Sequence, residues 1–517
     1  MAKKSLSLKK NIIANYAGQL YVTAVGILIL PLYIRYMGAE AYGLVGFFTM
    51  LQAWFTLLDL GLTPTISRET ARYQGGAMSA LAYRQLFRVL SAIFLTIAVL
   101  GGGVLLLLSE TVASRWLKVV ELSIDEVILA VEIMAVSVAL RWMGGLYRGV
   151  INGSERLVWL SGFNVLIATI RFISVFASMW FWGFTPTVFF THQLAAALLE
   201  FFGLYLMSQR LLPARDIIKQ PVGWNLQAVR PVLSFSLTIA FTSSVWVLVT
   251  QTDKLVLSGI LPLAEYGFFT LAVLIASGIM VISGPISSAI MPRMARLHAE
   301  GKGHELIKVY RHATQLVSVI AGSAAITVAM CAEQLLYAWT GDIHLAEKTA
   351  PILRLYAVGN GCLAVGAFSY YLQYAKGNLR YHLIGNAVMA VFLIPSIIVV
   401  ALHYGGVGVG YVWLVMNFMF LLVWVAYVHH KLAPGLHQKW LLKDVLGAYA
   451  LGGISAAAIY TIFPETDFTS RLSSLLYVLG VGLFVIASAV LAIDKVRATV
   501  LFFSKDIICR VKNVREL

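Results

Sequence analysis

The stretch Pro31–Leu62, PLYIRYMGAEAYGLVGFFTMLQAWFTLLDLGL, decides how the chain reads. An apolar helix ends near Arg35, the chain turns at Gly38-Ala39-Glu40-Ala41, and a second apolar helix opens at Tyr42-Gly43. A counterpart lies 224 residues on, where Pro262-Leu263-Ala264-Glu265-Tyr266-Gly267 opens another apolar run. The same offset relates Arg72 to Arg296, Tyr147 to Tyr371, Gly153 to Gly377 and Arg156 to Arg380. Matches held at one offset over so long a stretch indicate a duplicated unit.

Composition says where such units reside. Hydrophobic residues make up 60% of the chain and charged residues 12%, with a mean hydropathy of +0.83. Soluble domains carry about 25% charged residues, so most of this chain is expected to face lipid. The net charge of +15 does not indicate nucleic acid, because the basic residues gather at span ends rather than in one patch. Cys331, Cys362 and Cys509 have neither metal spacing nor a disulfide framework and read as packing residues. The first apolar run lacks a small-residue cleavage site and reads as a retained span rather than a removed signal.

A membrane helix needs about 20 mostly apolar residues. That criterion predicts an all-α polytopic membrane protein with about 14 spans, near 12–34, 42–63, 86–108, 127–148, 158–181, 187–208, 232–257, 266–290, 313–336, 352–374, 381–402, 407–428, 444–463 and 472–493. With the N-terminus in the cytoplasm, basic residues favour the inner side by about four to one, which predicts both termini inside. Six spans separate each residue from its repeat partner, and an even number returns the chain to the same side. The repeats are therefore parallel, related by a pseudo-two-fold axis along the membrane normal. The expected organisation is a six-helix lobe over 1–210, a cytoplasmic linker over 211–231 and a second six-helix lobe over 232–430. Two additional helices over 431–495 and a basic tail over 496–517 follow. Two parallel lobes would enclose a central cavity suited to alternating access.

There is no G-x-x-x-x-G-K-[ST], since Gly301-Lys302-Gly303 does not fit, and no HExxH or paired-carboxylate motif at a span end. Short outer loops disfavour a membrane glycosyltransferase or polymerase. The chain reads as a non-enzyme with no cofactor or metal, driven by an H⁺ or Na⁺ gradient or by its substrate gradient.

The chemistry then lies in the polar groups inside spans. A charge near the bilayer centre costs roughly 2.5–3.5 kcal/mol on insertion scales, so it needs a partner or a watery cavity. Arg171 and Glu200 differ in depth by roughly one helical turn; either they pair, or Arg171 faces the cavity and binds an anion. Arg141 lacks so evident a partner, because Glu132, nine residues away, lies about 900° round the helix and hence on its opposite face. Arg141 is therefore the leading cavity cation, and its planar fork suits a pyrophosphate. Arg35 and Lys254, toward the outer side, complete the candidate cavity cations. Asp253, Glu132 and Glu200 are the candidate carboxylates for ion coupling. Asp59 with Arg68 reads as a local charge network at an inner gate, and Arg156 and Arg380 as structural residues at repeat-related turns. His192 titrates in a range useful for proton transfer, but its place near a span end suits an interface.

These residues carry a resemblance. Asn15-Tyr-Ala-Gly18, Pro31-Leu-Tyr…Gly38-Ala-Glu-Ala-Tyr42-Gly43-Leu and Leu58-Asp59-Leu-Gly61-Leu62…Arg68-Glu69 open the set. Thr252-Asp253-Lys254, Glu265-Tyr266-Gly267, Pro292-Arg-Met…Arg296 and Tyr147-Arg-Gly…Gly153-x-x-Arg156 with its repeat partner complete it. Over spans 1–12 the chain resembles the Wzx-type flippases of the multidrug/oligosaccharidyl-lipid/polysaccharide (MOP) exporter superfamily. That resemblance implies movement of undecaprenyl-diphosphate-linked oligosaccharide from the inner to the outer leaflet of the bacterial inner membrane, for O-antigen, capsule or exopolysaccharide. Arg141 and Arg171 would then contact the diphosphate or an acidic sugar. The implied partners are the lipid-linked glycan, membrane lipids, a polysaccharide polymerase and a chain-length regulator. Spans 13 and 14 resemble the extra pair of the lipid II flippases, so lipid II export is a second reading. A cation-coupled multidrug antiporter on the same fold is a third.

Overall fold

Ser79, Ser123, Thr185 and Asp342 each stand just before a long apolar run. Each side chain accepts a hydrogen bond from a first-turn N–H, at Ala82 (3.2 Å), Glu126 (3.2 Å), Val188 (3.3 Å) and Leu345 (3.0 Å). A Ser, Thr or Asp in this place satisfies a donor that the helix itself cannot. A computed structural model describes residues 2–214, 218, 220–224, 230–462 and 470–493, with backbone alone at 2–13, 230–239, 242, 285 and 287–289. The basic tail from 496 and the side chains of Lys3, Lys4, Lys9 and Lys10 lie outside the described residues.

The described chain is helical, and its one extended pairing is a parallel bridge between Lys118 and Pro262. Among the described residues, twelve helices are long and apolar enough to cross a membrane. The expected number was about 14, and the difference has two sources. Two expected spans, 381–402 and 407–428, fall within the single stretch Arg380–Leu432, where Gly405 (φ 55, ψ −146) breaks the helix. The expected seventh span falls within the helix Arg230–Ile260, which is not among the twelve.

The chain divides into two units, Met1–Gly267 and Phe268–Leu517. The first contains α1 (Ala2–Leu28), α2 (Leu30–Met37), α3 (Ala39–Phe55), α4 (Leu62–Gln74), α5 (Ala80–Leu107), the short α6 (Ser109–Thr111) and α7 (Ile124–Gly153). It continues through α8 (Leu157–Ala168), α9 (Val175–Trp182), α10 (Pro186–Leu211) and α11 (Arg230–Ile260) to the first turn of α12 (Leu263–Ala299). Its core joins Leu62, Ile66, Phe94, Trp142, Leu146 and Leu204, while Leu107 (82% exposed) and the span-end triplet Trp180-Phe181-Trp182 stay uncovered. Bare leucines and terminal tryptophans suit a lipid surroundings. The two repeats differ at one informative place. In the first, Leu60 (φ 46) and Gly61 (φ 70) break the helix between α3 and α4; at the repeat-related Gly284, α12 runs through unbroken.

The second unit holds most of α12, then α13 (Gly303–Met330), α14 (Ala332–Thr340), α15 (Ile343–Gly366), α16 (Phe368–Ala375), α17 (Arg380–Met419), α18 (Val425–Leu432), α19 (Leu436–Trp440), α20 (Gly447–Ile462) and α21 (Arg471–Ala492). The last helices are pinned to α13 by polar groups. The buried Asp444 carboxylate accepts from Arg311 Nε (2.6 Å) and Nη2 (2.9 Å) and from Gln315 Nε2 (2.6 Å), and Trp440 Nε1 donates to Thr314 Oγ1 (3.1 Å). Tyr449 lies over Gly322 and donates to the Gly361 carbonyl at 2.9 Å. Tyr449→Phe keeps the ring packing and removes that bond, so it should cost about 1 kcal/mol, read as a small fall in Tm of the purified protein.

Candidate functional site

The charged groups of the first unit meet on two neighbouring helices. Arg141 and Arg148 are seven residues apart on α7, which is nearly two full turns and so one helix face. Gln193 and Glu200 stand at the same spacing on α10. Arg141 Nη2 donates to Gln193 Oε1 (3.1 Å), and Arg148 Nη2 donates to Glu200 Oε1. Both pairs have a sequence separation of 52, so α7 and α10 lie side by side running the same way. Arg141 also donates through Nη1 to Gln52 Oε1 of α3 (2.9 Å), lies 5.2 Å from the Phe48 ring, and has its Nε 3.9 Å from Glu200 Oε2. Arg148 donates through Nη1 to Asn164 Oδ1 of α8 at 2.7 Å.

Arg171 reaches the same place by a local irregularity. Residues Thr169–Ser174 form a π-helical turn between α8 and α9, and a π-bulge leaves carbonyls without their usual intrahelical donors. Three neighbours supply donors: His192 Nε2 to Ile170 O (2.9 Å), Gln193 Nε2 to Arg171 O (2.8 Å) and Tyr33 Oη to Phe172 O (3.1 Å). The His192 ring is thereby assigned the Nε2–H tautomer, with Nδ1 accepting from Ser178 Oγ at 2.8 Å. Gln193 thus bridges two arginines, since its Oε1 also lies 3.5 Å from Arg171 Nε. Tyr33→Phe should leave the Phe172 carbonyl unsatisfied and cost about 1–3 kcal/mol; thermal unfolding of the purified variant measures it.

Glu200 pairs with Arg148 and Arg141 rather than with Arg171, and among the described residues Arg171 makes no ion pair. The bulge explains this, because an inserted residue rotates the helix beyond it by about 100° relative to regular counting. Two guanidinium groups therefore share one carboxylate, and Arg171 joins them through Gln193. The Arg141 and Glu200 side chains are each 9% exposed and that of Arg148 is 30% exposed, so the cluster is buried at Arg141 and opens to the cavity at Arg148.

Two cavities open on this cluster. One of about 390 Å³ is lined by Asn15, Gln19 and Thr23 of α1 with Arg148, Asn164, Arg171 and Glu200. Gly18 lets α1 approach closely, since a Cβ there would lie 3.2 Å from Ser161 Cβ. The other, of about 420 Å³, is lined by Arg141 and Trp142, by Thr56, Asp59, Gly61 and Thr63 at the break between α3 and α4, and by Ser243 and Ser244 of α11.

Of the other expected site residues, Asp59 lines the second cavity and the rest lie elsewhere. Asp59 does not form the expected network with Arg68: its carboxylate accepts Thr63 N–H (3.2 Å) and Thr63 Oγ1 (2.5 Å) across the helix break, while Arg68 lies 3.8 Å from Glu69. Glu132 faces Ser109 Oγ at 3.4 Å, away from Arg141. Lys254 Nζ donates to Thr250 O (2.7 Å) and lies 3.3 Å from the buried Asp253. Arg35 is exposed beside the Tyr36 ring, 5.8 Å away. Arg156 stands at the N-cap of α8 and Arg380 at the first position of α17, both exposed. Sequence reasoning missed Arg148, which the expected span placed at its edge; its seven-residue spacing from Arg141 was the available signal.

Among the described residues, twelve helices able to cross a membrane and a cluster of arginines beside two cavities define a polytopic membrane protein. Solved structures share the fold. The lipid II flippase MurJ in an inward closed conformation has a TM-score of 0.69 at 14% identity, covering 96% of this chain and 99% of that one. An inward-facing multidrug resistance MATE family transporter of the MOP superfamily has a TM-score of 0.62 at 16% identity, covering 81% and 98%. A MOP superfamily transporter from Pyrococcus furiosus has a TM-score of 0.55 at 14% identity, covering 83% and 95%. Residues 8–298 match the family model described as polysaccharide biosynthesis protein, and the chain belongs to that family. The Wzx-type resemblance seen in the sequence thus holds at family level, and the solved structures that share the fold are a flippase and transporters. No curated protein matches the sequence.

Proposed function

We propose that this protein carries a polyprenyl-diphosphate-linked oligosaccharide from the cytoplasmic to the outer leaflet of the bacterial inner membrane, for O-antigen, capsule or exopolysaccharide. The observation that carries the reading is the cluster of Arg141, Arg148 and Arg171 around the single carboxylate of Glu200, open to two cavities. A diphosphate supplies the missing negative charge, and planar guanidinium forks match its oxygens two at a time. The lipid tail stays in the bilayer while the glycan follows the polar path, and the six-helix lobes rock between inward and outward states. Both termini face the cytoplasm. Asp253, Glu132 and Glu200 are the carboxylates through which an H⁺ or Na⁺ gradient would couple, and a polymerase and chain-length regulator would receive the product.

Lipid II is the second reading, supported by the likeness to a lipid II flippase along 96% of the chain. A drug antiporter is less favoured, because surplus buried positive charge repels cationic drugs. Native mass spectrometry with undecaprenyl diphosphate, undecaprenyl phosphate and a cationic dye separates the two diphosphate-lipid readings from the antiporter. Preferential retention of the diphosphate, lost in Arg148→Ala, is the expected outcome. Retention of the dye alone would overturn it.

A further inference from the structure

The 224-residue offset has a physical counterpart in the first unit. Gly43 of α3 packs against Leu263, so closely that a Cβ on Gly43 would lie 2.9 Å from the Leu263 carbonyl carbon and overlap its oxygen. Gly267, in the first turn of α12, packs against Ala39: a Cβ there would lie 2.9 Å from Ala39 O and 3.1 Å from Gly43 N. Ala39 and Leu263 are repeat partners, and so are Gly43 and Gly267. Each glycine therefore rests on the carbonyl of the residue four before its own counterpart. That is a self-complementary contact, of the kind a two-fold axis generates. At this crossing of α3 with the first turn of α12, two missing side chains allow backbone to meet backbone.

The bonds around the crossing sort into two kinds. Within the first repeat, the buried Glu40 carboxylate accepts the N–H groups of Val120 (2.6 Å), Glu121 (2.6 Å) and Leu122 (2.8 Å), binding that loop to the start of α3. Between the repeats, Leu263 N donates to Lys118 O (2.9 Å) and Trp116 Nε1 donates to Ser258 Oγ (2.9 Å). The repeat partner of Glu40 is Ala264, which has no carboxylate, and the neighbouring Glu265 is exposed. The loop is thus held to the start of α3 by three bonds and to the 258–263 segment by the two named here.

We infer that the Gly43–Gly267 crossing is the latch of the gate at this end of the transport path. It is shut in this structure, and it opens by parting α3 and its bound loop from the 258–267 segment as one rigid piece. The inference rests on the transport reading only for its export measurement. Because one contact is shared, the two glycines act as a unit, and loss of either equals loss of both.

The test uses the full chain with Cys331, Cys362 and Cys509 replaced by Ala, carrying Lys118→Cys and Pro262→Cys. Bridge partners lie roughly 5 Å apart, within disulfide reach. Oxidation in membranes should link them, detected as a disulfide-joined peptide pair by mass spectrometry. Surface glycan export should fall at least tenfold while they are linked and return on reduction. Gly43→Val and Gly267→Val should each lower the linking yield several-fold, the double variant no further, and Gly278→Val, where space is open, not at all. Failure of the parent pair to link, undiminished export by the linked chain, or linking unchanged by Gly43→Val would each overturn the latch. If the reduced chain exports no glycan, the transport reading fails, while the linking yields still test the latch without substrate.

Discussion

Glu200→Ala should lower stability by about 3–5 kcal/mol, because it removes the one carboxylate from among three arginines and leaves buried charge uncompensated. The Arg148 bond and the Arg141 contact at 3.9 Å are lost together. Yield in membranes and the Tm of the purified protein should both fall sharply. Glu200→Gln should do less damage, since it keeps an acceptor for Arg148 while removing the charge. The combination Arg148→Met with Glu200→Leu removes one partner of each sign and should recover much of the loss, as apolar replacement of buried pairs often does. Recovery of stability without recovery of export would separate the structural role of this pair from its functional one. If Glu200→Ala melts like the parent, the cluster is hydrated well enough that Glu200 does not hold it together.

Arg141→Ala should abolish export while the protein still inserts. Arg141 of α7 is held by Gln52 of α3 and Gln193 of α10, and it borders the cavity beside Asp59. Truncating one partner of a buried, hydrogen-bonded charge pair costs about 2–5 kcal/mol of binding, a loss of roughly thirty-fold to several thousand-fold in affinity. Arg141→Lys keeps the charge but cannot reach two glutamine oxygens in one plane, so it should restore only part of the activity. Undiminished surface glycan in Arg141→Ala would remove this residue from the binding account. Arg171→Ala should also reduce export, and its comparison with Arg141→Ala shows which cation the substrate meets.

The spans were legible because twenty apolar residues in a row have few other uses, and the duplication because five residue pairs kept one offset. Helical arithmetic also separated Glu132 from Arg141 correctly: one faces Ser109, the other Gln52 and Gln193. It left Arg171 open between a pair with Glu200 and a place in the cavity, because depth along a helix does not fix which way a side chain points. Arg148 was lost to a boundary: hydropathy falls there, yet α7 continues to Gly153. The pinning of Asp444 by Arg311 spans 133 residues, and nothing local in either segment announces it. The Asp59 reading failed for a similar reason. The carboxylate caps a helix restart at Gly61, a backbone event hidden within what reads as one continuous apolar run.

The most direct test of the transport claim is to delete the gene in a strain with no second exporter and quantify lipid-linked oligosaccharide in each leaflet together with surface polysaccharide. Complete lipid-linked units facing the cytoplasm, with surface glycan lost and then restored by the wild-type chain but not by Arg141→Ala, is the predicted result. Unchanged surface glycan and an unchanged distribution of lipid intermediates would contradict it.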